Sequence, residues 1–216
     1  MKTRKGKIPI SVGVTGGIGS GKTEVCSVFS SLGARVYSAD LLAKEFLNTD
    51  PAIRTHLTNS FGGDLYDSFG KIKRKQLAKL VFGDDRLLQK LNDIVHPKII
   101  LEIRRIIDKE KKIREAPMIM VEAALMYETG SDGMFDYMIV VEAEEVARIE
   151  RIVRRDGDSR TEIVRRMRAQ LPPEAKSKRA DFVLRNSGDL NALRSTCEFL
   201  FTLLSRMDIP VADEHA

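Results

Sequence analysis

Apolar residues along this 216-residue chain fall into two rhythms. The first is the short unbroken run. "IPISVGV", "ARVYSAD", "APMIMVEA", "FDYMIVVEA" and "ADFVLRN" are rich in aliphatic or β-branched residues, and each reads as a strand. The second is helical spacing: in "TEVCSVFSSLG", Val25, Val28, Phe29 and Leu32 recur on one face and Gly33 marks the stop. Unbroken apolar strands alternating with helices predict an α/β fold of three layers, a parallel sheet of about five strands covered on both faces.

Two intervals are too long to be simple crossovers. Residues 41–115 hold "DLLAKEFL", then Pro51 opening "PAIRTHLTNSFG", a glycine-rich turn, "RKQLAKLVF", "DDRLLQKLNDIV" and, after Pro97, "KIILEIRRIIDKEKKI". All show helical periodicity, so the spacing predicts a helical insertion beside the sheet. His96 precedes Pro97, which biases its backbone to extended geometry at a helix boundary. Residues 148–180 form a second helical insertion, with Ser159 as the expected N-cap of a helix beginning at Thr161. "DLNALRSTCEFLFTLLSRM" closes the chain as an amphipathic helix, and there is no internal repeat or low-complexity tract.

Between the first strand and the first helix lies "GVTGGIGSGKTEV", with five glycines and one lysine. Glycine inside regular structure costs about 0.5–1 kcal/mol relative to alanine, so such a cluster serves a backbone shape or a close approach. Gly16-Gly17-Ile18-Gly19-Ser20-Gly21-Lys22-Thr23 satisfies G-x-x-x-x-G-K-[ST] in full. Polyphosphate needs several donors converging at short range, and a glycine loop feeding a helix N-terminus supplies backbone N–H groups and the positive end of the helix dipole. Lys22 is expected to reach the β- and γ-phosphates and the Thr23 hydroxyl to bind Mg²⁺. Residues Gly17, Ile18, Gly19, Ser20, Gly21, Lys22 and Thr23 are therefore the expected nucleoside-triphosphate cradle.

Charge sharpens this picture. The formal net charge is +5, and it is uneven: Arg148 to Arg179 carries eleven Lys/Arg against five Asp/Glu, and Lys2 to Lys7 adds four more positive residues. Charge runs of this kind are usually solvated faces, but they also suit an anionic ligand, polyphosphate or nucleic acid. Against nucleic acid, there is no zinc-ligand spacing, RNP-like aromatic segment or helix-turn-helix, and aromatics total only 6%. No apolar stretch approaches a membrane span, and no signal peptide is read at the N-terminus. The two cysteines, Cys26 and Cys197, lie far apart in apolar helical patterns, which fits a reducing, cytoplasmic compartment.

No N-K-x-D guanine-reading tetrapeptide occurs, and the chain is short for a motor ATPase. A short P-loop chain with a helical insertion after its second strand and an arginine-rich one before its last resembles the nucleoside and metabolite kinases. In that group the first insertion holds the phosphate acceptor and the second forms a lid over ATP. One resemblance runs nearly the whole length. "TGGIGSGKT", "VYSADLLA", "FGGDLYDSFGKIKRKQLAKLVF" with "LNDIVHPKI", "VEAALMYE", "RRDG", "RMRAQ" and "ADFVLRNSG" follow the order of the dephospho-coenzyme A kinase family. Two positions depart from its pattern: Ser38 stands for the first Asp of the family's DAD segment, and Ala124 for the proline of PLL. The resemblance implies phosphoryl transfer from ATP, with Mg²⁺, to the ribose 3′-hydroxyl of dephospho-CoA. The partners are then small molecules, with no nucleic acid and no membrane.

Individual residues carry two readings each. Asp40, just past the second strand, is on the edge where parallel α/β sheets bind ligands; it is equally an N-cap for "LLAKEFL". The resemblance makes it the general base for the acceptor hydroxyl, with Lys22 as its catalytic counterpart on the phosphates. Glu122 ends a strand and is either an ordinary carboxylate or, as in other P-loop enzymes, the acid associated with Mg²⁺. The resemblance implies acceptor-side places for Arg74, His96 and Glu128; a solvated arginine and a structural histidine are the plain alternatives. In the lid, Arg154, Arg155 and Arg166 are candidates to meet phosphates. Asn186, in "RNSG", is either near adenine or a turn residue before Gly188.

Overall fold

A computed structural model describes residues 7–81 and 84–207. Lys2, Arg4 and Lys5 of the basic N-terminal stretch, and Phe82 of "RKQLAKLVF", lie outside the described residues. The chain divides into two compact units, one from the described parts of Met1–Tyr37 and Ile106–Ala216, the other Ser38–Arg105.

The first unit holds the sheet. All five expected strands form: β1 (Ile10–Thr15), β2 (Arg35–Ser38), β3 (Met118–Glu122), β4 (Tyr137–Glu142) and β5 (Phe182–Arg185), in the order β2-β3-β1-β4-β5. β1 is parallel to β3, from Ile10 opposite Met118 to Val14 opposite Glu122, and parallel to β4, from Val12 opposite Tyr137 to Thr15 opposite Val140. Every residue of β1 is buried, as a central parallel strand covered on both faces requires. The chain leaves β1 towards one sheet edge and later crosses from β3 to the other side, so the carboxyl end of β1 is a topological switch point.

Alternate β1 side chains decide what covers each face. Ile10, Val12 and Val14 pack with Val25, Cys26 and Phe29 of α1 (Lys22–Ser31) and with Leu193, Cys197, Leu200 and Leu204 of α9 (Leu190–Arg206). Phe29 and Phe201 meet edge to face with ring centroids 6.0 Å apart. On the other face, a Cβ at Gly13 would lie 2.5 Å from Met138 Sδ, so only glycine admits these neighbours. Both cysteines are buried free thiols; burial raises both, Cys197 to about 11, so neither is a thiolate at neutral pH.

The basic insertion folds as α6 (Glu145–Asp156), α7 (Arg160–Arg168) and α8 (Pro173–Ser177), within the sheet unit. Ser159 caps α7 in a reciprocal capping box with Glu162, and the helix begins at Arg160, one residue before the expected Thr161. Among the described residues no helix is long and apolar enough to cross a membrane.

The second unit comprises α2 (Ala39–Thr49), α3 (Pro51–Phe61), a 3-10 turn (Gly63–Leu65), α4 (Arg74–Val81) and most of α5 (Asp85–Ile113). Pro51 is the first residue of α3, as expected, and Asp50 caps it by accepting from Ala52 N at 2.8 Å and Ile53 N at 2.9 Å. Those backbone donors, with Lys98 nearby, hold the Asp50 carboxyl below its ordinary value. Two expectations are corrected here. Pro97 does not open a new helix but sits inside α5, which runs unbroken through His96. Val95, Ile99, Ile103 and Ile107 recur every four residues and are all buried, and this stripe offsets the hydrogen bond that proline cannot make. The cap of α2 is Ser38, whose Oγ accepts from Leu41 N at 3.4 Å, while Asp40 is already the second helical residue.

Replacing Ser38 by alanine is expected to lower stability by about 1 kcal/mol, and Ser38→Asp to preserve it, because aspartate caps about as well as serine. Urea denaturation of the two variants checks this. Unchanged stability of Ser38→Ala would show that the hydroxyl makes no contribution as a cap.

Candidate active site

The glycine loop leaves β1 at Gly16, whose φ is +148°; a Cβ there would lie 2.3 Å from the Val141 carbonyl oxygen. It enters α1 at Gly21, φ +96°, where a Cβ would lie 2.1 Å from Asn186 Nδ2. Gly21 offers the helix no side-chain cap, so the first-turn N–H groups are not covered by one. Lys22 is buried and arches back, donating from Nζ to the carbonyls of Gly16 at 3.1 Å and Gly17 at 3.2 Å. The Ser20 hydroxyl is buried in the loop without a hydrogen-bond partner. At the mouth, the Thr23 hydroxyl donates to Glu122 Oε1 at 2.7 Å. A threonine hydroxyl beside a carboxylate is a hard-oxygen pair of the kind Mg²⁺ accepts when substrate phosphates and water complete its shell. Among the described residues no cluster of three or more His, Cys, Asp or Glu could hold a metal alone.

Asn186 braces the loop from beyond β5. Its Nδ2 donates to Ser20 O at 2.9 Å, and its Oδ1 accepts from Gly188 N at 3.3 Å and from Arg151 Nη2 at 3.3 Å. The turn role is thus realised, and the whole carboxamide is engaged with protein. Glu128 is likewise engaged: Oε1 accepts from Leu171 N at 2.8 Å and from the fully buried Lys176 Nζ at 2.8 Å, while Oε2 is buried with no hydrogen-bond partner.

The lid arginines separate into two groups. Arg154 is exposed and makes no hydrogen bond or ion pair among the described residues; Arg155 pairs with Asp156 and Arg166 with Asp158, each at 2.7 Å. The arginines that touch the loop are others. Arg148, 5% exposed, donates from Nε to Ile18 O at 3.0 Å and lies where a Cβ of Gly17 would be. Arg151 Nη1 approaches Gly19 O and Ser20 O at 3.4 Å. Arg148, Arg151, Gln170 and Lys176 were not singled out by sequence. The detectable signal is the three-residue spacing of Arg148 and Arg151 on α6, next to the buried Ile149 and Ile152.

Asp40, Arg74 and His96 belong to the other unit. Asp40 is exposed in the first turn of α2, and its carboxylate makes no hydrogen bond among the described residues. Arg74 opens α4, with Nη2 3.5 Å from Lys44 O. His96 is half-buried on α5, and that burial pushes its pKa down against the opposing charge of Asp93.

A glycine loop closed on its own lysine, with a threonine and an acid at its mouth and an arginine-bearing helix over its tip, defines a P-loop nucleotide-binding protein. The dephospho-CoA kinase family model matches residues 10–192. The dephospho-CoA kinase of Chlorobaculum tepidum is 38% identical over 208 residues, covering 93% of this chain and 97% of its own. Among solved structures, one from Thermus thermophilus matches with a TM-score of 0.74 at 35% identity over 92% of this chain and 99% of that one. The dephospho-CoA kinase from Campylobacter jejuni matches with 0.64 at 25%, over 93% and 100%. The chain belongs to the dephospho-CoA kinase family.

The ion pair of Lys176 and Glu128 yields a stability test. Lys176→Met strands a buried carboxylate and should cost about 3–5 kcal/mol, whereas Lys176→Met with Glu128→Leu should recover most of that loss. A double-mutant cycle by chemical denaturation reads the coupling, and purely additive losses would show that the two charges do not interact.

Proposed function

We propose that this chain transfers the γ-phosphoryl group of ATP to the ribose 3′-hydroxyl of dephospho-CoA, yielding coenzyme A and ADP, in the cytoplasm. The observation that carries the reading is the Thr23–Glu122 hydrogen bond at the mouth of a loop whose lysine arches over it, in a chain of this family. The cradle from Gly17 to Thr23 binds the triphosphate. Lys22 exchanges its two loop carbonyls for β- and γ-phosphate oxygens, a stronger charge-assisted pairing. Thr23 and Glu122 would hold Mg²⁺, which would supply positive charge to neutralise the phosphates during transfer.

Asp40 serves as general base, accepting the 3′-hydroxyl proton as that oxygen attacks phosphorus. Among the described residues its carboxylate makes no competing hydrogen bond, and with Ser38 as cap it has no capping duty. Arg74, His96 and Glu128 bound the acceptor side, residues 41–115 form the acceptor-binding insertion, and residues 148–180 form the lid. Of the three lid candidates, Arg154 has no acidic partner among the described residues, and Arg155 and Arg166 exchange Asp156 and Asp158 for phosphate. Asn186 supports the nucleotide through the loop carbonyl it holds. The free buried thiols fit a reducing compartment.

An ATP-consumption assay with dephospho-CoA, adenosine, uridine, pantothenate or no acceptor tests the reaction; turnover confined to a nucleoside would replace it. Lys22→Ala should abolish nearly all transfer with an unchanged circular dichroism spectrum. For Asp40→Asn we expect kcat to fall by about 10²–10⁴, the range for a lost acid–base group, with unchanged melting temperature and substrate affinities. Full activity of that variant would remove Asp40 from the proton transfer.

A further inference from the structure

At the tip of the loop, Ile18 is gripped from outside through both its N–H and its C=O. Ile18 N–H donates to Gln170 Oε1 at 2.9 Å, and Ile18 C=O accepts from Arg148 Nε at 3.0 Å. The Ile18 side chain packs on the cluster of Ile149, Ile152 and Ile163 from α6 and α7. Ile18 and Gly19 are the central residues of a turn closed by Ser20 N–H to Gly17 O at 3.1 Å, and Gly19 has φ +79°. Positive φ at the second central residue is the mark of a type II turn. Types I and II differ by a flip of the peptide between the central residues, here Ile18–Gly19. A trans peptide directs its C=O and N–H oppositely. Whatever fixes the Ile18 carbonyl therefore also fixes the direction of the Gly19 N–H.

We propose that Arg148 and Gln170 are positioning residues for the nucleotide. Gln170 holds the Gly17–Ile18 peptide and Arg148 the Ile18–Gly19 peptide, so that the Gly19 N–H is kept turned away from α6, towards the polyphosphate. Glycine at 17 makes this possible, because a Cβ there would lie 2.3 Å from Arg148 Nη2. Gln170 is in turn tied to the segment after β3: its Nε2 is 3.5 Å from Ala124 O, which also accepts from Lys176 Nζ at 2.8 Å. The affinity of the loop for ATP is thus set by the helical segment over it. The inference rests on the reading of this loop as the ATP site.

The test uses Gln170→Met, which keeps length but loses the acceptor, together with Arg148→Met and Arg148→Gln. Amide exchange of the 16–21 peptide is followed in the unliganded protein, and the Mg·ATP dissociation constant by calorimetry. Exchange should accelerate in both methionine variants. The ATP dissociation constant and KM should rise about 3–10-fold for Gln170→Met, the worth of one neutral hydrogen bond, and about 10–100-fold for Arg148→Met, where the donor is charged. kcat should fall less than KM rises, KM for dephospho-CoA should stay level, and Arg148→Gln, which retains an N–H donor, should recover part of the affinity. Faster exchange with unchanged ATP affinity would overturn the proposal, as would equal rises in both KM values with lowered melting temperature. If ATP binding responds as expected but dephospho-CoA is not phosphorylated by the unmodified protein, the acceptor reading fails and the positioning role stands.

Discussion

Polyphosphate carries dense negative charge in a small volume, and backbone N–H groups can converge on it only where no side chain intervenes and the chain turns with positive φ. That steric demand organises the molecule around Gly16 and Gly21. Gly16 is pressed against the Val141 carbonyl, which ties the loop to β4, and Gly21 is pressed against Asn186, which ties it to the chain after β5. β1 has to be central and fully buried, because a loop gripped from several neighbouring elements needs a fixed point of departure. A displacement of even one ångström would spoil such a cradle, since binding and transfer both depend on near-final geometry.

Around the cradle the protein accepts buried polar groups that an ordinary core would avoid. Lys176 is fully buried, yet it is paired with Glu128 and bonded to the Ala124 carbonyl, and Glu128 also receives the Leu171 N–H. Paired in this way, a buried network fixes one arrangement of the segments it joins; broken at one member, it leaves an uncompensated charge. The departure from the family pattern at Ala124 is understandable on these terms. The network uses the backbone carbonyl, which proline and alanine supply alike.

Ser38 shows a similar economy. An N-cap requires a short side-chain acceptor, and serine fills that place for α2 where the family pattern has aspartate. The cap and the carboxylate at Asp40 are thereby assigned to separate residues, so a change at one need not disturb the other. The long helix α5 makes the complementary point: a stripe of four buried aliphatic residues carries it through Pro97, although proline removes a hydrogen bond.

The five strands, the glycine loop with Lys22 and Thr23, Pro51 at the start of α3 and the Ser159 cap were all legible in the sequence. Each is dictated locally, by periodicity, by the conformations glycine and proline allow, or by a side chain bonding its own backbone a few residues away. The pairing of Thr23 with Glu122 was half legible: each residue was a candidate, but their 2.7 Å approach needed β3 to lie beside β1. The continuity of α5 through Pro97, and the choice of Ser38 over Asp40 as the cap of α2, were not legible, because packing can outweigh a local propensity and adjacent acceptors compete for the same N–H groups. Arg148, Arg151, Gln170 and Lys176 were invisible as more than members of a basic segment. Their partners lie 35 to 152 residues away along the chain, and only the folded sheet brings those groups within hydrogen-bonding distance.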